Sequence, residues 1–528
     1  MPWEGFGFHA EACALKKIVL IEPKSPERHV FSRWKLPRLG LVMLGTRLAA
    51  AGYDVKVYVE EVSPVDFDAL FSADVVGIST ITSTAPRAYE FARAVRRAGI
   101  PVMMGGPHVT FLVDEALQYC DYVIRGEADD LIVDLVKAIE AGTGFDRIPS
   151  LSYHAGGSAS VAAARQDGGR AEQGKVVHNP ACPTCPDMES LPAPDLRLIQ
   201  GYSPKAKDQH VAPVQTSRGC PFNCTFCSVT RMFGRAYRFR STENVMAELR
   251  NLRGRYVFIY DDNFTADRAR AKELLRAMIA ERLGIGWSAQ VRCDAAGDPE
   301  LLDLMAQAGC YYVYIGLESV SPAVLKCYDK RQSVEQMERA IKAFHDRGIR
   351  IHGMFIFGGD HDTSEIFRQT VRFARSNYIE SVQFMILVPL PGTPLFDEMD
   401  RTGRLLSRDW SLYDAHHVVF QPKNMSTFEL QAETLRVFCR FYSLWPAVRR
   451  LLKFDFLSLV IKLWGHHEAR KCRRRLADYV EVTRAWAHKT GQKMELKARR
   501  VADDIKVAAA RFDVDALRRR RRRQRSGP

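Results

Sequence analysis

Short apolar runs bounded by Gly, Pro or charged residues recur through residues 17–140. Ile18-Val19-Leu20-Ile21, Val55-Lys56-Val57-Tyr58, Val75-Val76-Gly77-Ile78, Val102-Met103-Met104 and Tyr122-Val123-Ile124 have the length and apolarity of strands in a parallel sheet. Between them, Leu39 to Ala50 (LGLVMLGTRLAA) reads as a buried helix ended by Gly52, and Ala85 to Ala98 as a second helix. Alternating strands and helices predict an α/β fold with a doubly wound parallel sheet, whose ligands sit at the carboxyl ends of the strands. Small residues crowd those ends: Ser79, Thr80, Thr82, Ser83 and Thr84 after the third strand, Gly105 and Gly106 after the fourth, Gly126 and Glu127 after the fifth. The paired glycines would let a bulky planar ligand approach the backbone. No GxGxxG opens the first helix, which counts against a dinucleotide.

A second series of strands begins at Val211. Val211–Thr216, Tyr256–Tyr260, Trp287–Val291, Tyr312–Ile315, Met354–Phe357 and Gln383–Leu387 alternate with helical spans Glu243–Leu252, Arg268–Glu281, Pro299–Ala308, Val334–Arg347 and Thr363–Ser376. Six such units predict a partial (β/α)6 barrel, again with function at the carboxyl ends. The expected organisation is an N-terminal domain over 1–145, a linker and hairpin region over 146–210, the barrel over 211–430, a helical extension over 431–510 and an Arg-rich tail over 511–528. Cys182 and Cys185 form a lone CxxC in the linker; half a metal site needs its other half, and the pair reads as loop.

Composition adds limits. With 46% apolar and 26% charged residues the chain is that of a folded protein, too long at 528 residues for one core. It lacks a secretory start and any run of about 18 apolar residues, so a cytoplasmic protein is expected. The net charge of +14 belongs to the tail: from Arg449 onward there are 24 Lys or Arg against 9 Asp or Glu, a net +15, which leaves −1 for the rest. Arg518 to Arg523 form a solvated run able to meet anionic lipid or nucleic acid through its field. No RNA-binding module stands beside it, so nucleic acid is not expected as a partner. An apolar band from Tyr442 to Trp464, flanked by basic residues, reads either as a helix closing the barrel or as one resting on the inner face of an anionic membrane.

The chemistry concentrates in TSRGCPFNCTFCSV, Thr216 to Val229, where Cys220, Cys224 and Cys227 give a CxxxCxxC spacing. Three thiolates on one loop can hold three irons of a four-iron, four-sulfur (4Fe-4S) cluster and leave the fourth open to a small chelating molecule. A zinc site completed by a distant residue is the competing reading. The segment resembles the radical S-adenosylmethionine (SAM) superfamily, in its branch with an N-terminal cobalamin-binding domain, and the likeness spans most of residues 17–430.

That resemblance implies that SAM chelates the fourth iron and is cleaved reductively to a 5′-deoxyadenosyl radical. Phe226 resembles the family's aromatic residue before the last cysteine. Asp261-Asp262-Asn263 resembles a segment at the end of the second strand, though it could equally cap the following helix. Arg292 resembles an arginine for the methionine carboxylate, or could form a surface ion pair. Gly316-Leu317-Glu318-Ser319 matches a GxES segment, and Pro389 to Pro394 resembles a closing loop or is a rigid turn. Ser79 and Thr80 to Thr84, the Gly105-Gly106 turn and Gly126-Glu127 resemble contacts to cobalamin. The DxHxxG segment of better-known cobalamin proteins is missing, so neither His29 nor His108 is assigned to cobalt. The resemblance implies a cobalamin-dependent radical SAM methyltransferase acting on an unactivated carbon of a small molecule or lipid, served by a flavodoxin- or ferredoxin-like reductant. A cyclase or rearrangement enzyme, or an RNA-modifying one, is the alternative.

Overall fold

A computed structural model describes residues 16–25, 35–155, 175–182, 187–206, 208–443 and 456–488. His29, Cys185, most of the hairpin tip after His154, part of the apolar band (Trp445 to Phe454) and the arginine run lie outside the described residues.

The N-terminal sheet is built from β1 (Lys17–Glu22), β2 (Asp54–Val59), β3 (Val75–Ser79), β4 (Val102–Gly105), β5 (Tyr122–Ile124), β6 (Leu151–His154) and β7 (Val176–His178). Its order is β2-β1-β3-β4-β5-β6-β7. The first five strands pair in parallel as expected, and their inner residues are almost wholly buried. The sheet is nevertheless mixed: β6 and β7 add antiparallel, from within the stretch read as linker and hairpin. Their residues alternate too briefly to stand out as strands in the sequence. Asn179 secures this addition by donating to the carbonyls of Phe145 (2.6 Å) and Ile148 (2.8 Å). At the far edge, Gln200 N–H reaches the Val57 carbonyl at 2.9 Å, covering part of β2.

The second sheet comprises β8 (Val211–Val214), then, beyond the two-residue strands β9 (Ser217–Arg218) and β10 (Arg238–Phe239), β11 (Tyr256–Ile259), β12 (Gly286–Val291), β13 (Cys310–Glu318), β14 (Arg350–Phe357) and β15 (Ser381–Ile386). Its six strands run in parallel in the order β15-β14-β13-β12-β11-β8, the open partial barrel that the apolar runs indicate. Local chemistry starts the helices between them. Asp298 accepts from Leu301 N–H at 3.1 Å, and Pro299 follows at the first helical position, where its missing N–H costs nothing. Asp267 caps the helix Arg268–Glu281, so that task does not fall to Asp261, Asp262 or Asn263.

β15 ends the barrel sheet and would expose its backbone. Tyr442 covers it: the hydroxyl accepts from Val382 N–H (2.8 Å) and donates to Val382 O (2.9 Å). Gly465, on the helix Phe456–Arg475, packs against the Tyr442 ring, and Lys462 Nζ lies 3.4 Å from the Phe441 ring centroid. The described part of the C-terminal band therefore closes the side of the barrel, although Val460 and Leu463 stay about half exposed. No helix among the described residues is long and apolar enough to cross a membrane.

One continuous apolar core runs through both sheets, and a buried ionic junction joins them beside the cysteine loop. Arg218 of β9 donates Nη1 to Glu127 Oε2 and Asp129 Oδ2, both at 2.7 Å, and Nη2 to Asp129 Oδ1 at 3.1 Å. Arg238 of β10 takes the other oxygen of Glu127. Replacing Arg218 by Met would strand the buried Asp129 carboxylate, leave Glu127 with Arg238 alone, and cost about 3–5 kcal/mol. The expected outcome is a markedly lower unfolding midpoint for Arg218→Met. The same change at Arg250, whose partners Glu243 and Glu281 lie on the surface, should leave that midpoint nearly unmoved.

Candidate active site between the two sheets

The cysteine loop leaves β9 and is held from three sides. From just beyond β11, Asp261 accepts from Thr216 N–H (2.7 Å), Ser217 N–H (2.9 Å) and the Thr216 hydroxyl, so both its oxygens serve the turn that opens the loop. From the segment after β13, Tyr328 O accepts from Thr225 N–H at 3.2 Å, and the Tyr328 ring meets Phe226 edge-on at 5.0 Å. From the helix Pro394–Arg401 that follows the closing loop, Leu395 N–H reaches Thr225 O at 3.3 Å. Inside the loop, Cys227 N–H donates to Cys224 O at 3.1 Å.

Cys224 is close enough to Cys220 and to Cys227 for its charge to bear on both of their thiols. Burial, reinforced by neighbouring acids, pushes the Cys227 thiol up to about 12 and raises that of Cys220. Among the described residues no three His, Cys, Asp or Glu side chains are grouped to hold a single metal ion. Cluster thiolates bind three different irons and need not converge on one point.

Asp262 faces the same thiols. Burial and the adjacent Asp261 push its carboxyl up to about 7, against the pull of Gly219 N–H and Arg218. Asn263 is buried, and its side-chain oxygen accepts from the Thr265 hydroxyl at 3.2 Å. Arg292, just after β12, is buried, with its guanidinium carbon 3.6 Å from the centroid of Phe222 in the cysteine loop, and it also pairs with the half-exposed Asp294 at 3.4 Å. Glu318 is buried too and pairs with Lys330 at 2.7 Å. Asp262, Arg292 and Glu318 thus gather around the loop, whereas Asp261 works on the loop's own backbone. Gly358 and Gly359 N–H groups both point at Asp362 Oδ2 (3.0 and 2.9 Å), and burial pushes that carboxyl up to about 7.

Across from the loop, the N-terminal sheet presents its carboxyl ends. A cleft of about 510 Å³ is lined there by Ser25, Ile81, Thr82, Ser83, Pro107 and Phe111, and on the barrel side by Ser228, Gln383, the closing loop and residues 413–416. Of the nine N-terminal positions singled out by sequence, Thr82 and Ser83 line this cleft, and Ser83 Oγ lies 3.0 Å from Ser25 Oγ. Thr80 and Thr84 spend their hydroxyls on the turn, bonding Gly105 O and Ile81 O at 3.1 Å. Ser79 pairs with Gly105 in the sheet. Gly106 adopts φ 99°, and a Cβ there would sit 2.3 Å from Thr80 O, so glycine is required. Gly126 N–H donates to the Thr110 hydroxyl at 3.0 Å, while Glu127 is committed to the two arginines. On the N-terminal side the open surface sets Ile81 beside the hydroxyls of Ser25, Thr82 and Ser83 and the charged Lys35 and Glu61, a mixed lining that fits a macrocycle with polar side chains on its rim, such as a corrin. His108 is fully buried, 3.4 Å from Glu115, with its ring edge-on to Trp410 at 5.2 Å, and so stays away from the cleft.

The closing loop crosses the gap between the sheets. Gly392 packs so tightly on Phe111 that a Cβ would lie 2.4 Å from the ring, and Trp410 Nε1 donates to Glu115 at 2.9 Å. Sequence inspection missed Arg218, Asp129, Lys330 and the 413–416 segment. Glu127 was visible only as part of a turn, and its arginine partners were not.

This fold and this loop define a class. Residues 214–374 match the radical SAM superfamily and residues 33–136 the B12 binding domain. The chain belongs to the radical SAM superfamily, in the branch that carries a cobalamin-binding domain, and is a cobalamin-dependent radical SAM enzyme. An uncharacterised methyltransferase of Pyrococcus horikoshii is 31% identical over 441 residues, covering 81% of this chain and 92% of its own. The bacteriochlorophyllide d C-12(1)-methyltransferase of Chlorobaculum tepidum is 30% identical over 428 residues (79% and 85%). The anaerobic magnesium-protoporphyrin IX monomethyl ester cyclase of Rubrivivax gelatinosus is 27% identical over 453 residues (81% and 77%). The fold is shared with OxsB, a cobalamin-dependent SAM radical enzyme solved with aqua-cobalamin and SAM, at a TM-score of 0.64 and 15% identity over 96% of this chain and 80% of that one.

Replacing Cys220, Cys224 and Cys227 together by Ala should bring iron and sulfide to background after anaerobic reconstitution and abolish 5′-deoxyadenosine formation. Asp261→Asn, which weakens the anchor of the loop, should lower cluster occupancy several-fold. Iron analysis and the visible absorbance of the cluster measure both.

Proposed function

We propose that this chain is a methyltransferase that installs a methyl group on an sp3 carbon of an apolar small molecule or lipid, consuming SAM both as methyl source and as radical source. The observation that carries this reading is the shared cleft, where Thr82 and Ser83, in the turn after β3, and Ser228, next to Cys227 in the barrel domain, line the same space. A carbon radical must meet its methyl donor before it is quenched, so the two reactive centres have to open into one water-poor volume. Bound cobalamin would supply the methyl group, and the cluster the electron that cleaves SAM.

The chain's own residues do the rest. Leu36, Ile81, Pro107, Phe111, Val388, Leu390 and Pro391 give the cleft apolar walls that keep water away from a radical and accept a greasy substrate. Gln383, Asp414 and His416 bring polar groups to it and would orient the substrate. Burial lowers the His416 imidazole below its ordinary range, despite the nearby Asp414, so it meets substrate as a neutral hydrogen-bonding group. Asp262, Arg292 and Glu318 are the residues proposed for SAM, and a flavodoxin- or ferredoxin-like protein is the proposed electron donor.

Cyclisation without net methyl transfer is the second reading, favoured by the cyclase relative, which matches as much of the chain as the methyltransferases do. Product analysis separates the two. Anaerobic incubation of the reconstituted protein with hydroxocobalamin, SAM, a strong reductant and a panel of tetrapyrroles and apolar lipids should yield 5′-deoxyadenosine and S-adenosylhomocysteine together, each in excess of enzyme. 5′-Deoxyadenosine accompanied by a modified substrate, without S-adenosylhomocysteine, would refute methyl transfer and support cyclisation.

A further inference from the structure

Lys330 stands at the centre of a buried network on the barrel rim. Its ammonium donates to Glu318 Oε1 at 2.7 Å, and both side chains are only 8% exposed. Its carbonyl accepts from Arg292 Nη2 at 2.5 Å, and Arg292 in turn covers Phe222, between Cys220 and Cys224. Gln332 Nε2, two residues on, donates to the carbonyls of Gly316 (3.2 Å) and Leu317 (3.0 Å), tying the segment to the end of β13.

The backbone is bent to make this arrangement. Glu318 (φ 60°), Asp329 (φ 47°) and Arg331 (φ 52°) all hold left-handed conformations that a Cβ disfavours. Such residues persist where their surroundings over-determine them, and they gather at functional sites. Gly316 is part of the same design: a Cβ there would lie 2.5 Å from Glu318 Oε1 and 2.9 Å from Lys330 Nζ. Three non-glycine residues in unfavourable backbone and one glycine therefore serve a single ion pair, and Lys330 is near enough to Cys224 for their charges to interact.

We propose that Lys330 is a positioning residue of the radical site, holding Glu318 and Arg292 around the cysteine loop, and that its buried ammonium favours reduction of the cluster. The proposal rests on the cluster assignment and goes beyond it by naming what tunes the cluster. Reduction adds negative charge, and a cation in a water-poor site stabilises that charge with little screening. Glu318 opposes the effect, so removing either partner should move the cluster's potential in opposite directions.

The test is a potentiometric titration, followed by electron paramagnetic resonance, of the anaerobically reconstituted full chain and of Lys330→Met, Glu318→Gln and Lys330→Arg. At the midpoint of the unaltered protein, Lys330→Met should show an about tenfold smaller ratio of reduced to oxidised cluster, equivalent to about 59 mV for one electron. Glu318→Gln should shift the midpoint the other way, and Lys330→Arg should restore it. Equal midpoints, or shifts of Lys330→Met and Glu318→Gln in the same direction, would overturn the proposal, because a purely structural role has no reason to follow the sign of the charge. If Lys330→Met binds no cluster, the Glu318→Gln shift decides alone. Failure of the unaltered chain to bind iron would overturn the cluster assignment itself, and the proposal with it.

Discussion

Arg218 carries its charge into a space closed to water, two residues before the first cysteine of the loop, and there it meets Glu127 and Asp129 from the loop after β5. Those carboxylates hold the arginine firmly in its charged form against the cost of burial. An interior ion pair of this kind contributes less through its net energy than through geometry, since any arrangement that separates the partners leaves bare charge in a medium of low polarity. Because Glu127 and Asp129 follow β5 while Arg218 and Arg238 sit on β9 and β10, the pairing turns the carboxyl ends of the two sheets toward each other. The cleft is the space that remains between them.

The cysteine loop depends on this arrangement at each end. Arg218 and the Asp261 carboxylate fix its entry, and Tyr328 and Leu395 fix its middle. Leu395 belongs to the helix that follows the closing loop, and that loop rests on Phe111, in the short helix after β4 of the N-terminal domain. The loop is thus braced by the barrel and, through two separate routes, by the cobalamin-binding domain. A site that must hold a reactive radical near a second cofactor gains from such bracing, because small displacements of the reacting groups are costly.

Unfavourable backbone is concentrated in the same region. Of the seven non-glycine residues with positive φ among the described residues, Glu318 is half of the buried ion pair beside the loop, Asp329 and Arg331 flank its partner Lys330, and Ala415 lines the cleft between Asp414 and His416. The strain there is held by the well-packed strands beneath, where side chains such as Trp287, Phe355 and Phe384 are fully buried. His417 hydrogen-bonds Asp414 at 2.9 Å and meets Tyr479 of the C-terminal helices edge-on at 4.5 Å, so the helical extension also steadies the wall of the cleft.

The amino-acid order by itself determined the five parallel strands of the N-terminal sheet, the helix between Leu39 and Ala50, the barrel and the three-cysteine loop. Each is written in neighbours a few residues apart, where apolar period or thiol spacing directly reflects local geometry. What only the tertiary structure decided are the partners. Glu127 lies 91 residues from Arg218, Glu115 lies 295 from Trp410, and Asp261 lies 45 from the Thr216 turn it holds. No local period records such pairs, and a carboxylate in a turn reads the same whether it meets a ligand, a backbone or an arginine. The division between residues free to touch a cofactor, such as Thr82 and Ser83, and those consumed in building its cradle, such as Thr80, Thr84 and Glu127, follows from packing. It depends on where each hydrogen bond is satisfied once water has been excluded.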